Sequence, residues 1–105
     1  MGGYLCGGKP IPLPRDRVRF VTDACGYVFL QWWIAVTTDA GSRWTVWNAP
    51  AHLPGKVHYH LNLIRSVDIA PDGTGAMVLG PEGVVDGRTL RLRTQSFGRD
   101  WTEGD

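Results

Sequence analysis

One octapeptide, residues 37–44, constrains this chain more than any other feature, because its side chains can close a tight turn between two strands. It reads Thr-Thr-Asp-Ala-Gly-Ser-Arg-Trp and follows an apolar run over residues 28–36. Asp39 is placed to accept hydrogen bonds from backbone N–H groups two or three residues further on, and Gly41 tolerates the positive φ that tight turns often need. Trp44 restarts a strand and can fold its indole back over the turn. The octapeptide therefore predicts a β-hairpin.

A second octapeptide, residues 94–101, repeats this spacing, with Ser96 at the position of Asp39. Each octapeptide follows two strand-like segments joined by a turn, at residues 23–26 in the first half and 71–73 in the second. Both halves read strand, strand, strand, octapeptide, strand, which is an internal repeat. The side chains predicted to build the two turns are Thr37, Asp39, Gly41 and Trp44, and Thr94, Ser96, Gly98 and Trp101.

The spacing Ser/Thr-x-Asp-x-Gly-x-x-Trp resembles the Asp-box, or BNR repeat, of sialidase-type β-propellers. The resemblance covers nearly the whole chain, and it implies that each half is like one four-stranded propeller blade, with the box far from any active site. Two blades cannot close a propeller, which typically needs at least four. We therefore expect an all-β fold in which two four-stranded antiparallel meander units pack as a small sandwich.

The chain has 105 residues, enough for a single all-β domain. Glycine and proline recur in residues 1–16, which predicts an extended N-terminal arm. The first blade-like repeat then covers residues 17–48, and the second covers residues 65–105. Residues 49–64 form the connecting loop between them, and loops of this length are uncommon unless they are functional.

The aromatic residues are the better clue to function, since five tryptophans are many for so short a chain. The boxes account for two of them. Strand alternation predicts that Trp44 and Val46 face inward, which would turn Trp47 outward, and that Trp32 and Trp33 cannot both point inward. Exposed tryptophan and tyrosine side chains commonly anchor interfaces or stack on sugars. The residues predicted to contact a partner are Trp33, Trp47, His52, His58, Tyr59 and His60.

The histidines also raise the question of a metal site. His58 and His60 lie two residues apart, a spacing that places both side chains on one face of a strand, and His52 could complete a set of three. No carboxylate lies close by in sequence to orient them. We therefore expect no metal and no cofactor.

Catalytic chemistry finds little support in the sequence. No Gly-x-Ser-x-Gly elbow occurs, most aspartates stand where turns need them, and residues 73–75 form a Gly-Thr-Gly turn without the lysine of a phosphate-binding loop. The resemblance adds no active site, because two blades cannot supply the residues that sialidases spread over six. The expectation is a protein without enzymatic activity.

Charge and hydropathy limit the partners. The formal net charge of +1 gives no basis for binding nucleic acid, and no apolar run approaches the length of a membrane span. Two cysteines in a small β-rich chain favour a Cys6–Cys25 disulfide, although two unrelated thiols are the alternative. The disulfide would imply a periplasmic or secreted protein whose leader has been removed.

These observations favour a non-catalytic protein-binding module. The chain is similar to small exported Asp-box proteins of Gram-negative bacteria, which implies an immunity protein that occludes the active site of a toxin effector, such as those of type VI secretion. The partner would be that cognate effector, with the chain itself a monomer or small homo-oligomer. Two alternatives stay open: a glycan-binding module that stacks Trp47 or Trp33 on a sugar, and a propeller fragment completed by oligomerisation.

Overall fold

The computed structural model describes residues 3–4, 10–11 and 17–104, with side chains described from residue 17 onward. Strands dominate, and the one helix in this part of the chain is a single turn. The elements are β1 (Gly3–Tyr4), β2 (Pro10–Ile11), β3 (Arg19–Phe20), β4 (Gly26–Leu30), β5 (Trp33–Thr37), β6 (Thr45–Asn48), α1 (Ala49–His52), β7 (Ile64–Ile69), β8 (Gly75–Leu79), β9 (Leu90–Thr94) and β10 (Thr102–Glu103).

Two four-stranded antiparallel sheets carry the fold. The first has the order β3-β4-β5-β6 and the second β7-β8-β9-β10, so each is a meander of consecutive strands. The strands β1 and β2 pair with each other. The predicted all-β sandwich of two four-stranded units is confirmed.

The core lies between the two sheets and follows strand alternation. In the second sheet, Val67, Met77 and Leu92 occupy paired positions on β7, β8 and β9 and are buried, whereas Arg91 and Arg93 point outward. The first sheet contributes Tyr27, Ile34, Val36 and Trp47, and the connection between the sheets contributes Ala49, Val57 and Leu63. Tyr27 also donates a buried hydrogen bond from its hydroxyl to the Val67 carbonyl, at 3.2 Å.

The predicted outward direction of Trp47 is wrong, since only 3% of its surface is exposed. Trp47 pairs with Ile34 across β5 and β6, and the Ile34 side chain lies in the core. The strand β6 begins at Thr45, so Trp44 belongs to the turn and does not set the alternation of the strand. Trp47 is therefore a core residue and cannot contact a partner or a sugar directly.

A β-bulge shifts the register of β7 between Ile64 and Ser66. Because one extra residue enters the strand there, Ile64 and Val67 are both buried although three residues separate them. The side chain of Arg65 is left exposed at the edge of the second sheet.

The first box turn is held together by the Thr37 side chain. The hydroxyl donates to Asp39 Oδ1 at 2.8 Å and accepts the Gly41 N–H at 2.9 Å. Asp39 Oδ1 also accepts the N–H of Arg43, four residues further on, at 2.8 Å. Trp44 Nε1 donates to the Gly41 carbonyl at 3.1 Å, so the indole folds back over the turn as expected.

The second box turn has the same set of contacts, although Ser96 replaces the aspartate. The Thr94 hydroxyl accepts the Gly98 N–H at 2.9 Å and lies 3.3 Å from the Ser96 hydroxyl. Ser96 Oγ accepts the Asp100 N–H at 3.0 Å, and Trp101 Nε1 donates to the Gly98 carbonyl at 2.8 Å. A neutral hydroxyl therefore builds the same local geometry as a carboxylate.

Each box turn is also tied to the turn that precedes its hairpin. The Ala40 N–H donates to the Ala24 carbonyl at 2.8 Å, and the Phe97 N–H donates to the Gly73 carbonyl at 3.0 Å. Ala40 and Phe97 both have positive φ values, 60° and 57°. This left-handed conformation is unfavourable for a side chain, so the contacts of each turn offset a local cost.

We predict that Thr94→Val destabilises the protein by about 1–3 kcal/mol, because the buried Gly98 N–H loses its acceptor without a change in side-chain volume. Thr45→Val is the matched control, since Thr45 is exposed and makes no side-chain hydrogen bond. Urea unfolding measures both changes. Equal stability of the two variants would show that the hydroxyl does not hold the turn.

The pKa of Asp39 is lowered, chiefly by the Arg43 N–H and then by the Thr37 hydroxyl. A lowered pKa in the folded state means that the charged form stabilises the fold above the unfolded pKa of about 3.9, and that this stabilisation is lost as pH falls through the folded pKa. We therefore expect Asp39→Asn to destabilise the protein at neutral pH and progressively less as the parent's carboxylate protonates.

Ser96→Ala provides the control for this prediction, because it removes the equivalent acceptor from the second box turn without removing a titrating group. Thermal melts of both variants between neutral pH and pH of about 2 are the measurement. A stability difference for Asp39→Asn that stays constant over the whole range would contradict the assigned role of the charge.

Candidate functional site

The loops of the sandwich collect at two ends. The box end holds the two box turns together with the turns at residues 22–25 and 70–74. The connector end is formed by residues 31–32, by the connection 49–63 and by the loop 80–89 between β8 and β9. The box end is similar in the two repeats, but at the connector end a two-residue turn in the first repeat corresponds to a ten-residue loop in the second. The two repeats therefore differ from each other mainly at the connector end.

Backbone hydrogen bonds fix both ends of the connection 49–63 to the β4–β5 turn. The Ala49 N–H donates to the Trp32 carbonyl at 2.9 Å, and the Ile64 N–H donates to the Gln31 carbonyl at 2.8 Å. Gln31 has a φ of 56°, which turns the chain within two residues. The connection thus leaves and rejoins the sheets at one point.

The middle of the connection pairs with the loop 80–89. Val57 and Val84 form an antiparallel bridge and are both buried. On either side of the bridge, the His58 N–H donates to the Gly83 carbonyl at 2.7 Å and the Val85 N–H donates to the Lys56 carbonyl at 2.8 Å. The connector end is therefore a hydrogen-bonded platform and not a loose loop, so side chains on it are held in place.

Tyr59 and Leu61 project from this platform into solvent. They are 64% and 68% exposed, which makes them the most exposed of the large apolar side chains in the described chain. The Tyr59 ring contacts the half-buried Trp32 ring edge-on, with centroids 5.0 Å apart and planes at 88°. This contact limits the rotation of Tyr59 while leaving most of its surface free. Such a ring loses little conformational entropy when a partner covers it.

His52 lies over the buried Trp47. The rings are stacked, with centroids 5.0 Å apart and an interplanar angle of 18°. The Nδ1 atom of His52 lies 2.9 Å from the Asn48 carbonyl, and because a carbonyl only accepts, Nδ1 carries the proton. His52 therefore covers the tryptophan and exposes its other edge to solvent.

Trp33 begins β5 and is half-buried on the face of the first sheet that lies away from the core. It pairs with Asn48, whose Oδ1 is buried without a hydrogen-bond partner. Two neighbours on this outer face, Val28 and Ala35, are fully buried although they lie outside the central cluster. The first sheet is thus apolar on both faces, and Trp33 does not join the surface around Tyr59.

The two histidines of the His-x-His pair have different surroundings. His58 is exposed, whereas His60 is half-buried and its Nδ1 accepts the Asn62 N–H at 3.1 Å. Within residues 17–104, no group of three or more histidine, cysteine, aspartate or glutamate side chains is placed to hold a metal ion. His58 is therefore placed to make polar contacts at the surface of the platform.

Cys25 is a free, half-buried thiol in the turn between β3 and β4. Its carbonyl accepts the N–H groups of Val21 and Thr22, so the turn closes through backbone contacts. Cys6 lies outside the described residues. The structure gives no support to the predicted Cys6–Cys25 disulfide.

Ion pairs surround the connector end. Arg65 donates to the Gly80 carbonyl at 2.8 Å and to Glu82 at 2.9 Å, while Arg88 pairs with Asp86 at 3.0 Å. Lys56 pairs with Glu103 of β10. These pairs are exposed, so each contributes little to stability, but they neutralise the rim of the platform.

Sequence reasoning identified the connection but missed three apolar side chains at this end, Trp32, Leu61 and Val85. Val85 is 52% exposed and lies beside the bridge that joins residues 56–58 to residues 83–85. No periodic pattern marks these positions, because they belong to irregular segments that are brought together only by tertiary pairing.

Comparison of the chain with protein-family models, with curated protein sequences and with solved structures finds no match. No helix in the described part of the chain is long and apolar enough to cross a membrane.

Gly83 offers a test of the platform. A Cβ atom at this position would lie 2.8 Å from Leu63 Cδ1 and 2.9 Å from His60 Cβ, so Gly83→Ala must displace the connection. We expect a loss of about 1–3 kcal/mol in unfolding free energy and shifted amide NMR signals for residues 58–63. Gly104→Ala is the control, since its nearest contact would be an ordinary 3.5 Å. Unchanged signals in 58–63 would mean that this segment is not packed on the loop 80–89.

Proposed function

We propose that this chain is a non-catalytic protein-binding module, and specifically an immunity protein that neutralises a bacterial toxin effector by covering its active site. The observation that carries the proposal is the pair of exposed apolar side chains, Tyr59 and Leu61, on a hydrogen-bonded platform at one end of the sandwich. Large exposed apolar groups on a rigid support are the usual anchors of a protein interface.

Rigidity favours inhibition over loose binding. A loop that is already fixed pays less entropy on association, so more of the contact energy appears as affinity. In the proposed complex, Tyr59 and Leu61 enter the effector's cleft, and His52, His58 and His60 contribute polar contacts around them. We place the protein in the periplasm or outside the cell, where such effectors are delivered.

The burial of Trp47 weakens the glycan-binding alternative, which relied on Trp47 or Trp33 for sugar stacking. Trp47 has almost no free surface, and Trp33 is half-buried on a different face of the molecule. A protein partner makes better use of the features that lie together at the connector end, namely two exposed apolar side chains with a neutralised polar rim.

Size-exclusion chromatography with light scattering tests the proposal directly. The purified chain is run alone and after mixing with the product of the neighbouring gene. A shift to a stable complex of both proteins supports an inhibitor. A chain that elutes unchanged after mixing contradicts it in this form, and a large oligomer of the chain alone would favour completion of a propeller between subunits.

We predict that Tyr59→Ala and Leu61→Ala each weaken this complex about tenfold or more, because truncation of a central interface anchor commonly costs about 2 kcal/mol or more. Phe20→Ala is the matched control, since Phe20 is also an exposed aromatic residue but lies beside the turn at residues 22–25 of the box end. Isothermal titration calorimetry measures the dissociation constants. An equal loss with Phe20→Ala would place the interface elsewhere.

A further inference from the structure

A cleft of about 350 Å³ lies between the two sheets and is lined by residues of β3, β4 and β7 and by Arg17. Tyr27 and Phe29 of β4 line it on one side, and Ser66 and Val67 of β7 line it on the other. The remaining lining residues are three arginines, Arg17, Arg19 and Arg65. No carboxylate is among the described residues that line the cleft.

Two of these arginines have no counter-charge among residues 17–104. Arg65 already donates to Gly80 and Glu82, but Arg17 and Arg19 form no ion pair and no side-chain hydrogen bond with any part of the described chain. Their exposure shows that water solvates them. In a chain whose net charge is only +1, this is a local concentration of positive charge beside an aromatic wall.

We infer that this cleft binds an acidic, extended segment of the protein partner, an inference that rests on the proposed function and deepens it. Each guanidinium presents a planar fork of donors that matches a carboxylate, and the half-buried Phe29 ring offers apolar surface to the stem of an aspartate or glutamate. The volume is sufficient for a few residues of an extended chain.

The position of the cleft supports a protein segment over an isolated anion. Arg65 joins the cleft to the connector end, because its guanidinium contacts Gly80 and Glu82 of the loop 80–89. A partner seated on Tyr59 and Leu61 can therefore extend along the side of the sandwich into the cleft. The charged cleft would speed encounter with an acidic partner, while the apolar anchors would set the lifetime of the complex.

The test uses the full chain and a fluorescein-labelled decapeptide of alternating glycine and glutamate, followed by fluorescence polarisation. We expect saturable binding that weakens steeply between ionic strengths of about 0.01 M and 0.15 M, and that is about tenfold weaker or lost in the double variant Arg17→Gln/Arg19→Gln. The matched control is Arg91→Gln/Arg99→Gln, which removes the same charge from exposed positions outside the cleft.

The inference would be overturned by a lack of saturable peptide binding, or by an equal loss of binding in the two double variants. Saturation by inorganic phosphate at concentrations where the peptide does not bind would also overturn it, and would assign the cleft to a small anion. Circular dichroism melts of all variants confirm that each one is folded.

The same variants separate this inference from the proposed function. If the complex with the neighbouring gene product forms at an unchanged association rate in Arg17→Gln/Arg19→Gln, the proposed inhibitor function is supported. The binding of an acidic segment in the cleft is then contradicted. If the peptide binds at the cleft but no complex with the neighbouring gene product forms, the cleft binds acidic segments and the proposed inhibitor function is contradicted. A slower association in the cleft variant, with dissociation nearly unchanged, is the result that supports both.

Discussion

One buried hydroxyl at the end of the third strand of each sheet organises the rest of the molecule. Thr37 and Thr94 close the strands β5 and β9, and each accepts the N–H of a glycine four residues further on. Because the box turn fixed in this way also bonds to the turn before the hairpin, each hydroxyl orders two turns. The two threonine hydroxyls and the glycine N–H groups that they accept are thus paired within the chain.

Because the box turns are built from contacts within each repeat, the features that distinguish the two repeats lie at the connector end. The turn between β4 and β5 has two residues, whereas residues 80–89 separate β8 from β9. The longer loop 80–89 has a structural role, because Gly83 and Val85 form hydrogen bonds with the connection 49–63 and hold it as a platform. A repeated scaffold therefore holds a single, unrepeated surface, and a change in this surface leaves the box turns intact.

The elements that could be predicted from sequence are those fixed by local contacts. The box turns are built by residues within eight positions of one another, and the buried positions Val67, Ile69 and Leu92 of β7 and β9 obey simple strand alternation. Trp47 was misjudged because its direction depends on pairing with Ile34, and the strand starts one residue later than the tryptophan of the box suggests. The bulge before Ser66 and the pairing of Val57 with Val84 are tertiary features with no periodic signal.

The candidate site was located by the same reasoning only as a segment, because its surface is made by residues distant in sequence. Tyr59 owes its fixed direction to Trp32, and the cleft is lined by residues of β3, β4 and β7, which are distant in sequence. Arg65 is paired with Glu82 beside the platform, whereas Arg17 and Arg19 have no counter-charge within residues 17–104. Paired charges on a rim add little affinity, whereas unpaired ones steer an oppositely charged partner. In the proposed complex, the apolar anchors would therefore set the lifetime of the complex, and the separate cationic cleft would set the rate of encounter.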